Sequence, residues 1–307
     1  MYYPYLRGKQ YELIAVRELI EKKLISKNVV PIIEPIKETA TLRSTLETGI
    51  ENNHQIYTII NPQVGEYSLY EENHPITGEV LDLNYDAILM NNAKDVSKNA
   101  HLLSKSEKFI AIYSSRDDLK NFAMLKEKSL VPSINFVKDG HRFSRFFRQE
   151  HQEIGLIRDA FDKQKRNVDY ADESDKFFSD DHLYYRDEGY VAFSDYSIVG
   201  DHYLDNGFAP VAVAIHIVYF DSNDVLRIKH FVSESNDDNS DPAGKFREAL
   251  EKLINWAETT TTTLNHSDAL KQFQVLWNEK RYPGLGFTKK LSIMHHLEIM
   301  DNYLSRR

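Results

Sequence analysis

Val29-Val30-Pro31-Ile32-Ile33-Glu34-Pro35 is a short apolar run that ends in a carboxylate and a proline. It is short for a buried helix and lacks the clean alternation of a half-exposed strand, so it reads as a parallel strand covered on both faces. Pro35 prevents immediate entry into a helix, and the helical pattern resumes from Thr41 to about Asn52. Upstream, Tyr2 to Leu6 is a similar run, followed by Leu13, Val16, Ile20 and Leu24 on one helical face. Downstream come Ile56–Ile60 (closed by Asn61-Pro62), Ala87–Met90, Phe109–Tyr113, Val131–Ile134, Ile154–Ile157 and Tyr190–Phe193. Eight such runs, mostly separated by helical stretches, predict an α/β fold, a (β/α)8 TIM-barrel-like arrangement.

Two spacers break the rhythm. Residues 62–85 carry Gly65, Pro75 and Gly78 and read as an excursion over one face. Residues 163–189 are longer and acidic, with Asp169, Asp172, Glu173, Asp175, Asp180 and Asp181; they read as a solvated insertion or, alternatively, a metal-binding loop. From about residue 200 the pattern changes. Val211–Phe220 and Val225–Ser233 flank Asp221-Ser222-Asn223-Asp224, an antiparallel hairpin signal. Three helices follow. The first opens at Asp241-Pro242, an acidic cap with proline at the first helical position. It carries Phe246, Leu250 and Ile254; Thr259–Thr263 then acts as a connector. The second holds Phe273, Leu276 and Trp277, and the third Ile293, Leu297, Met300 and Leu304. Residues 1–200 thus form a barrel-like region, and 201–307 a hairpin and three helices packed on it, in one continuous domain.

Composition narrows the function. With 47 Asp and Glu against 38 Lys and Arg, the net charge of −9 argues against a general nucleic-acid coat, which needs excess cationic side chains. The chain has no cysteine, which excludes disulfides, thiolate metal sites and a cysteine nucleophile. Met1-Tyr2-Tyr3-Pro4-Tyr5 has no basic segment followed by an apolar one, and no run approaches a membrane span. The expected location is the cytoplasm, with no membrane association.

In a parallel barrel, ligands meet the loops at the C-terminal ends of the strands. The residues at or just past the eight runs are Arg7, Glu34, Asn61, Asn91, Ser114, Asn135, Arg158 with Asp159, and Ser194 with Asp195. Strands end where polar loops begin, so part of this pattern is trivial. The mixture is more informative. Arg7 and Arg158 suit bidentate binding of phosphate or carboxylate, with Asn61 and Ser194 as further ligand-binding candidates. Glu34, Asp159 and Asp195 are the candidate catalytic carboxylates, suited to acid–base work or to a hard cation such as Mg²⁺. The competing reading of each Arg–Asp pair is a structural ion pair.

Other motifs weigh less. His216 and His230 stand on opposite hairpin arms and share a face only if the loop has an odd residue count. His295 and His296, adjacent on the last helix, point about 100° apart and suit one metal ion poorly. Gly284-Leu285-Gly286 follows no strand and reads as an interhelical turn. No nucleophile elbow, Walker loop or zincin motif occurs.

Tyr3-Pro4-Tyr5-Leu6-Arg7-Gly8-Lys9 with Glu12, Leu13 and Ala15, followed by Val30-Pro31-Ile32-Ile33-Glu34-Pro35, resembles the Beta protein family, named for a T4 phage protein. Phe193-Ser194-Asp195-Tyr196, Ala214-Ile215-His216 and His230-Phe231-Val232-Ser233 agree in style. The resemblance implies a barrel-like fold and a bacterial or phage setting, with antiviral defence among the expected roles; it carries no catalytic residues. Two functions compete. One is a barrel that acts on or binds a small anionic, phosphate-type ligand at its mouth. The other is a non-catalytic module that partners a nuclease or a phage protein.

Overall fold

The computed structural model describes residues 1–69, 85–106, 108–138, 141–204, 211–259 and 262–306. Eight parallel strands form one sheet: β1 (Tyr5–Leu6), β2 (Ile32–Ile33), β3 (Tyr57–Ile59), β4 (Tyr85–Leu89), β5 (Phe109–Tyr113), β6 (Ile134–Lys138), β7 (Ile154–Arg158) and β9 (Ala192–Asp195). Each pairs with the next in chain order except that β7 pairs with β9. The barrel closes through Tyr2, which bridges Val29 on one side and Phe193 on the other. Tyr3 N donates to Phe193 O at 2.9 Å across that seam. The connecting helices α1 (Gln10–Glu21), α2 (Ala40–Glu51), α3 (Ala93–Leu103), α4 (Leu119–Glu127) and α5 (His141–Gln149) follow β1, β2, β4, β5 and β6. Local chemistry starts two of them: the Thr39 side chain accepts from Leu42 N, and that of Asn92 from Lys94 N and Asp95 N.

Alternate residues of each strand face opposite sides. One set, including Tyr3, Tyr5, Ile32, Tyr57, Ile59, Leu89, Ile112, Phe136 and Ile157, fills the barrel with side chains, as a closed eight-stranded sheet requires. The other set, including Leu6, Ile33, Ile88, Ala111, Val137 and Phe193, packs outward in a second core shared with the helices.

Three parts of the chain differ from the expectation. Residues 163–189 are no plain solvated insertion. They hold a 3-10 turn (Asn167–Ala171), strand β8 (Asp175–Ser179) and a short helix α6 (Asp181–Tyr184). Strand β8 joins the hairpin, β10 (Ala214–Phe220) and β11 (Leu226–Val232), as an antiparallel edge in the order β10-β11-β8. The acidic residue that makes this possible is Asp175. It accepts from Arg227 Nε and Lys229 Nζ at 2.9 Å each, and from the Tyr219 hydroxyl at 2.8 Å. Helices α7 (Pro242–Thr259), α8 (Asp268–Asn278) and α9 (Leu285–Leu304) complete the chain. The sixth strand also lies further along than expected. It runs over Ile134–Lys138 because Pro132 cannot donate to the ladder and Val131 is half-exposed. The eighth barrel strand is likewise shifted to Ala192–Asp195. The excursion over 62–85 begins with a 3-10 turn at Gly65–Leu69; its remainder, 70–84, and residues 260–261 of the threonine run lie outside the described residues.

Candidate functional site

The inward set of side chains ends at the C-terminal rim of the strands, and there its chemistry turns polar. Tyr5 and Arg7 from β1, Glu34 from β2, Asn91 from β4, Ser114 from β5, Lys138 from β6, Asp159 from β7 and Tyr196 from β9 surround a cavity of about 580 Å³. Gln63 joins them from beyond β3, and Asp201 with Tyr203 from the segment after β9. Of the residues singled out in the sequence, Arg7, Glu34, Asn91, Ser114 and Asp159 thus meet at one mouth.

A single ion network occupies it. Arg7 Nη1 pairs with Glu34 Oε2, and Arg7 Nη2 reaches Asp201 Oδ1 at 3.0 Å and also the Asp201 carbonyl. The second carboxylate oxygen of Asp201 takes Lys138 Nζ. Glu34 is fully committed: the Tyr5 hydroxyl donates to Oε2 at 2.7 Å and Gln63 N to Oε1 at 2.9 Å. Burial works against the charge of Asp201, yet the hydrogen bond and charge of Lys138, with the charge of Arg7, hold its carboxyl below the usual range. Burial and then the Asp201 charge push the Tyr196 phenol well above its ordinary value, so it serves as a neutral donor to that carboxylate. Asp159 fixes the loop in turn, accepting from Asp201 N at 2.8 Å.

The other residues singled out lie elsewhere. Arg158 is the outward neighbour of Asp159; its partly exposed guanidinium pairs with Asp181 at 3.4 Å. Asp195 is the outward neighbour of Tyr196, buried behind the barrel wall, where Oδ1 accepts from the Tyr2 hydroxyl and Ser197 N at 2.7 Å each. Burial raises its carboxyl to about 7. Ser194 faces the barrel interior with its hydroxyl sealed and unpartnered among the described residues. Asn61 is committed to backbone: its amide donates to Leu89 O and accepts from Leu89 N, both at 2.8 Å. That side chain continues the β3–β4 ladder where Pro62 has no N–H to give. Asn135 points outward from β6, away from the mouth, where its side chain accepts from the Tyr113 hydroxyl and donates to Glu153 O.

Lys138, Tyr196 and Asp201 are charged or polar mouth residues that the strand ends alone did not indicate, as are Tyr5, Gln63 and Tyr203. The first two follow from the alternation of each strand once its true boundary is known. Asp201 lies six residues beyond β9 and no periodicity points to it. Among the described residues, no group of three or more His, Asp or Glu side chains is arranged to hold a metal ion, and no helix is long and apolar enough to cross a membrane. The chain matches no protein-family model, no curated protein and no solved structure.

Proposed function

We propose that the barrel mouth binds a small anionic ligand of phosphate or carboxylate type, and that Asp201 occupies the position of its anion in the free protein. The observation that carries this reading is the bridging geometry of one carboxylate: Oδ1 on Arg7 from β1 and Oδ2 on Lys138 from β6. Two cations from separate strands converging on one pair of oxygens is how guanidinium and ammonium groups take up an external oxyanion. The carboxylate that fills the place belongs to a loop, beside Gly200 with φ +75, and not to the rigid wall. Glu34 holds Arg7 in position and Tyr196 supplies a further hydroxyl.

Asp201→Ala leaves both cations in place and vacates the anion position. Inorganic phosphate or a small dicarboxylate then binds the variant at least about tenfold more tightly than the parent protein, a gain of about 1.4 kcal/mol in titration calorimetry. Lys138→Met in the same background removes the gain. If neither protein binds any such anion at millimolar concentration, the ion network is a plug. The second reading, a non-catalytic module, then takes its place, since a mouth closed by internal ion pairs is what it calls for. Membership of the Beta protein family and a place in phage defence belong to either reading as proposals resting on the Arg7 and Glu34 motifs.

A further inference from the structure

A second cavity, of about 230 Å³, opens between the segment after β7, strand β10 and the first turns of α9. Its polar walls include Lys163, Asn167, His216, Thr288, Lys289 and Ser292. No carboxylate stands among the described residues that line it, in a chain with 47 acidic against 38 basic side chains. Among the described residues Lys289 has one counter-charge, Glu12 at 2.8 Å, outside the cavity. Lys163 donates only to the His202 carbonyl, at 3.3 Å, among the described residues.

The imidazole adds a directed donor. His216 and His230 face each other across the β10–β11 ladder, Nδ1 to Nδ1 at 2.7 Å, so a single proton lies between them. Nε2 of His230 is sealed and has no partner among the described residues. Were His216 the donor, the neutral His230 would carry its own proton on that sealed nitrogen, and a buried N–H without an acceptor is the rarer and costlier defect. His230 therefore donates, His216 accepts at Nδ1, and the proton of His216 resides on Nε2, the nitrogen left for the cavity. Burial, His230 and Lys289 hold the His216 imidazole well below its usual range, which keeps it a neutral donor. Burial and Lys289 together lower Lys163 as well, against the opposing charges of Asp159 and Glu12, which stand outside the cavity lining. The N-terminal end of α9, a 20-residue helix, adds its positive dipole end, although the Leu285 amide is already bonded by the Tyr282 hydroxyl.

We propose that this cavity is a second anion site, which takes a phosphoryl or carboxylate group on Lys163, Lys289 and the Nε2–H of His216. It shares no lining residue with the barrel mouth and does not depend on the reading given there.

The test uses the full chain labelled with ¹⁵N, reading the His216 imidazole nitrogens while inorganic phosphate or acetate is added at ionic strength held constant with chloride. The expected result is a saturable shift of His216 Nε2 with at least one of the two. Phosphate saturating first identifies a phosphoryl site, acetate first a carboxylate site. Lys163→Ala, at an exposed position, weakens the response about tenfold or more. An imidazole that responds to neither anion, or a response that Lys163→Ala leaves intact, overturns the proposal.

Discussion

At the scale of single residues the most consequential group is Asp195. Its carboxyl is buried behind β9, with the His296 Nε2 nitrogen 4.0 Å from Oδ2, too far for a hydrogen bond. Burial raises it to about 7, although the Tyr2 hydroxyl and Ser197 amide both favour its charged form. A folded-state value above the unfolded one means that the native protein binds the extra proton. Stability is therefore greatest below the ordinary carboxylate value and falls as pH rises toward about 7. Asn at this position keeps an Oδ1 for both donors and carries no charge. Asp195→Asn is thus expected to gain up to about 4 kcal/mol over the parent at pH 8, with the difference shrinking toward pH 4. Denaturant unfolding at the two pH values checks it, and a difference independent of pH would contradict the account. The same residue shows why the site was only partly legible. Arg158 with Asp159, and Ser194 with Asp195, are adjacent in sequence, and strand geometry sends neighbours to opposite faces. The alternation that puts Ile157 inside also puts Asp159 at the mouth and Arg158 outside.

At the scale of elements, Gly155, the second residue of β7, carries more weight than its place in an apolar run suggests. It faces Phe136 of the neighbouring strand across the barrel interior, and a Cβ there would lie 2.5 Å from the ring. Phe136 is fully buried and packs on Tyr3 at 5.0 Å, so the ring has little room to yield. Gly155→Ala is expected to cost about 1–3 kcal/mol by overpacking, and Phe136→Leu in the same chain to recover part of it. Unfolding of the two single variants and the double checks this; strict additivity would mean that the ring and the methyl do not collide. Strand β8 marks the other limit of reading elements one at a time. The acidic composition of 163–189 works against a strand, with Asp and Glu depleted in sheets, and Phe177-Phe178 is too short an apolar run to mark one by itself. The strand forms because Arg227, Lys229 and Tyr219 of the hairpin converge on Asp175, a long-range pairing that local propensity does not contain.

At the scale of the whole molecule, the order of the barrel strands followed from the rule that successive βα units lie side by side. What seats the C-terminal elements against the barrel did not follow from it. Helix α9 is buried around nearly its whole circumference, where the sequence shows one apolar stripe, because its polar residues are consumed on both sides. Toward the barrel, His296 Nδ1 meets Ser197 Oγ at 2.9 Å, Lys290 pairs with Glu18 of α1, and Asp301 accepts from Ser26 at 2.6 Å. Toward the antiparallel sheet, His295 Nε2 meets Val218 O at 2.9 Å while its Nδ1 meets Ser267 Oγ at 2.7 Å. A helix whose polar groups are divided in this way leaves buried atoms unsatisfied if either side unfolds alone, at about 1–3 kcal/mol each. The barrel and the C-terminal elements are therefore expected to unfold together. Both tryptophans, Trp256 on α7 and Trp277 on α8, lie in the C-terminal part, and Trp256 touches Tyr219 and Phe231 of the sheet. Tryptophan fluorescence thus follows the C-terminal elements, and far-ultraviolet ellipticity the whole chain. Their thermal midpoints are expected to coincide. A fluorescence transition more than about 5 °C from the ellipticity transition would show that α9 does not couple the two parts, and that its buried polar groups find water when one side melts.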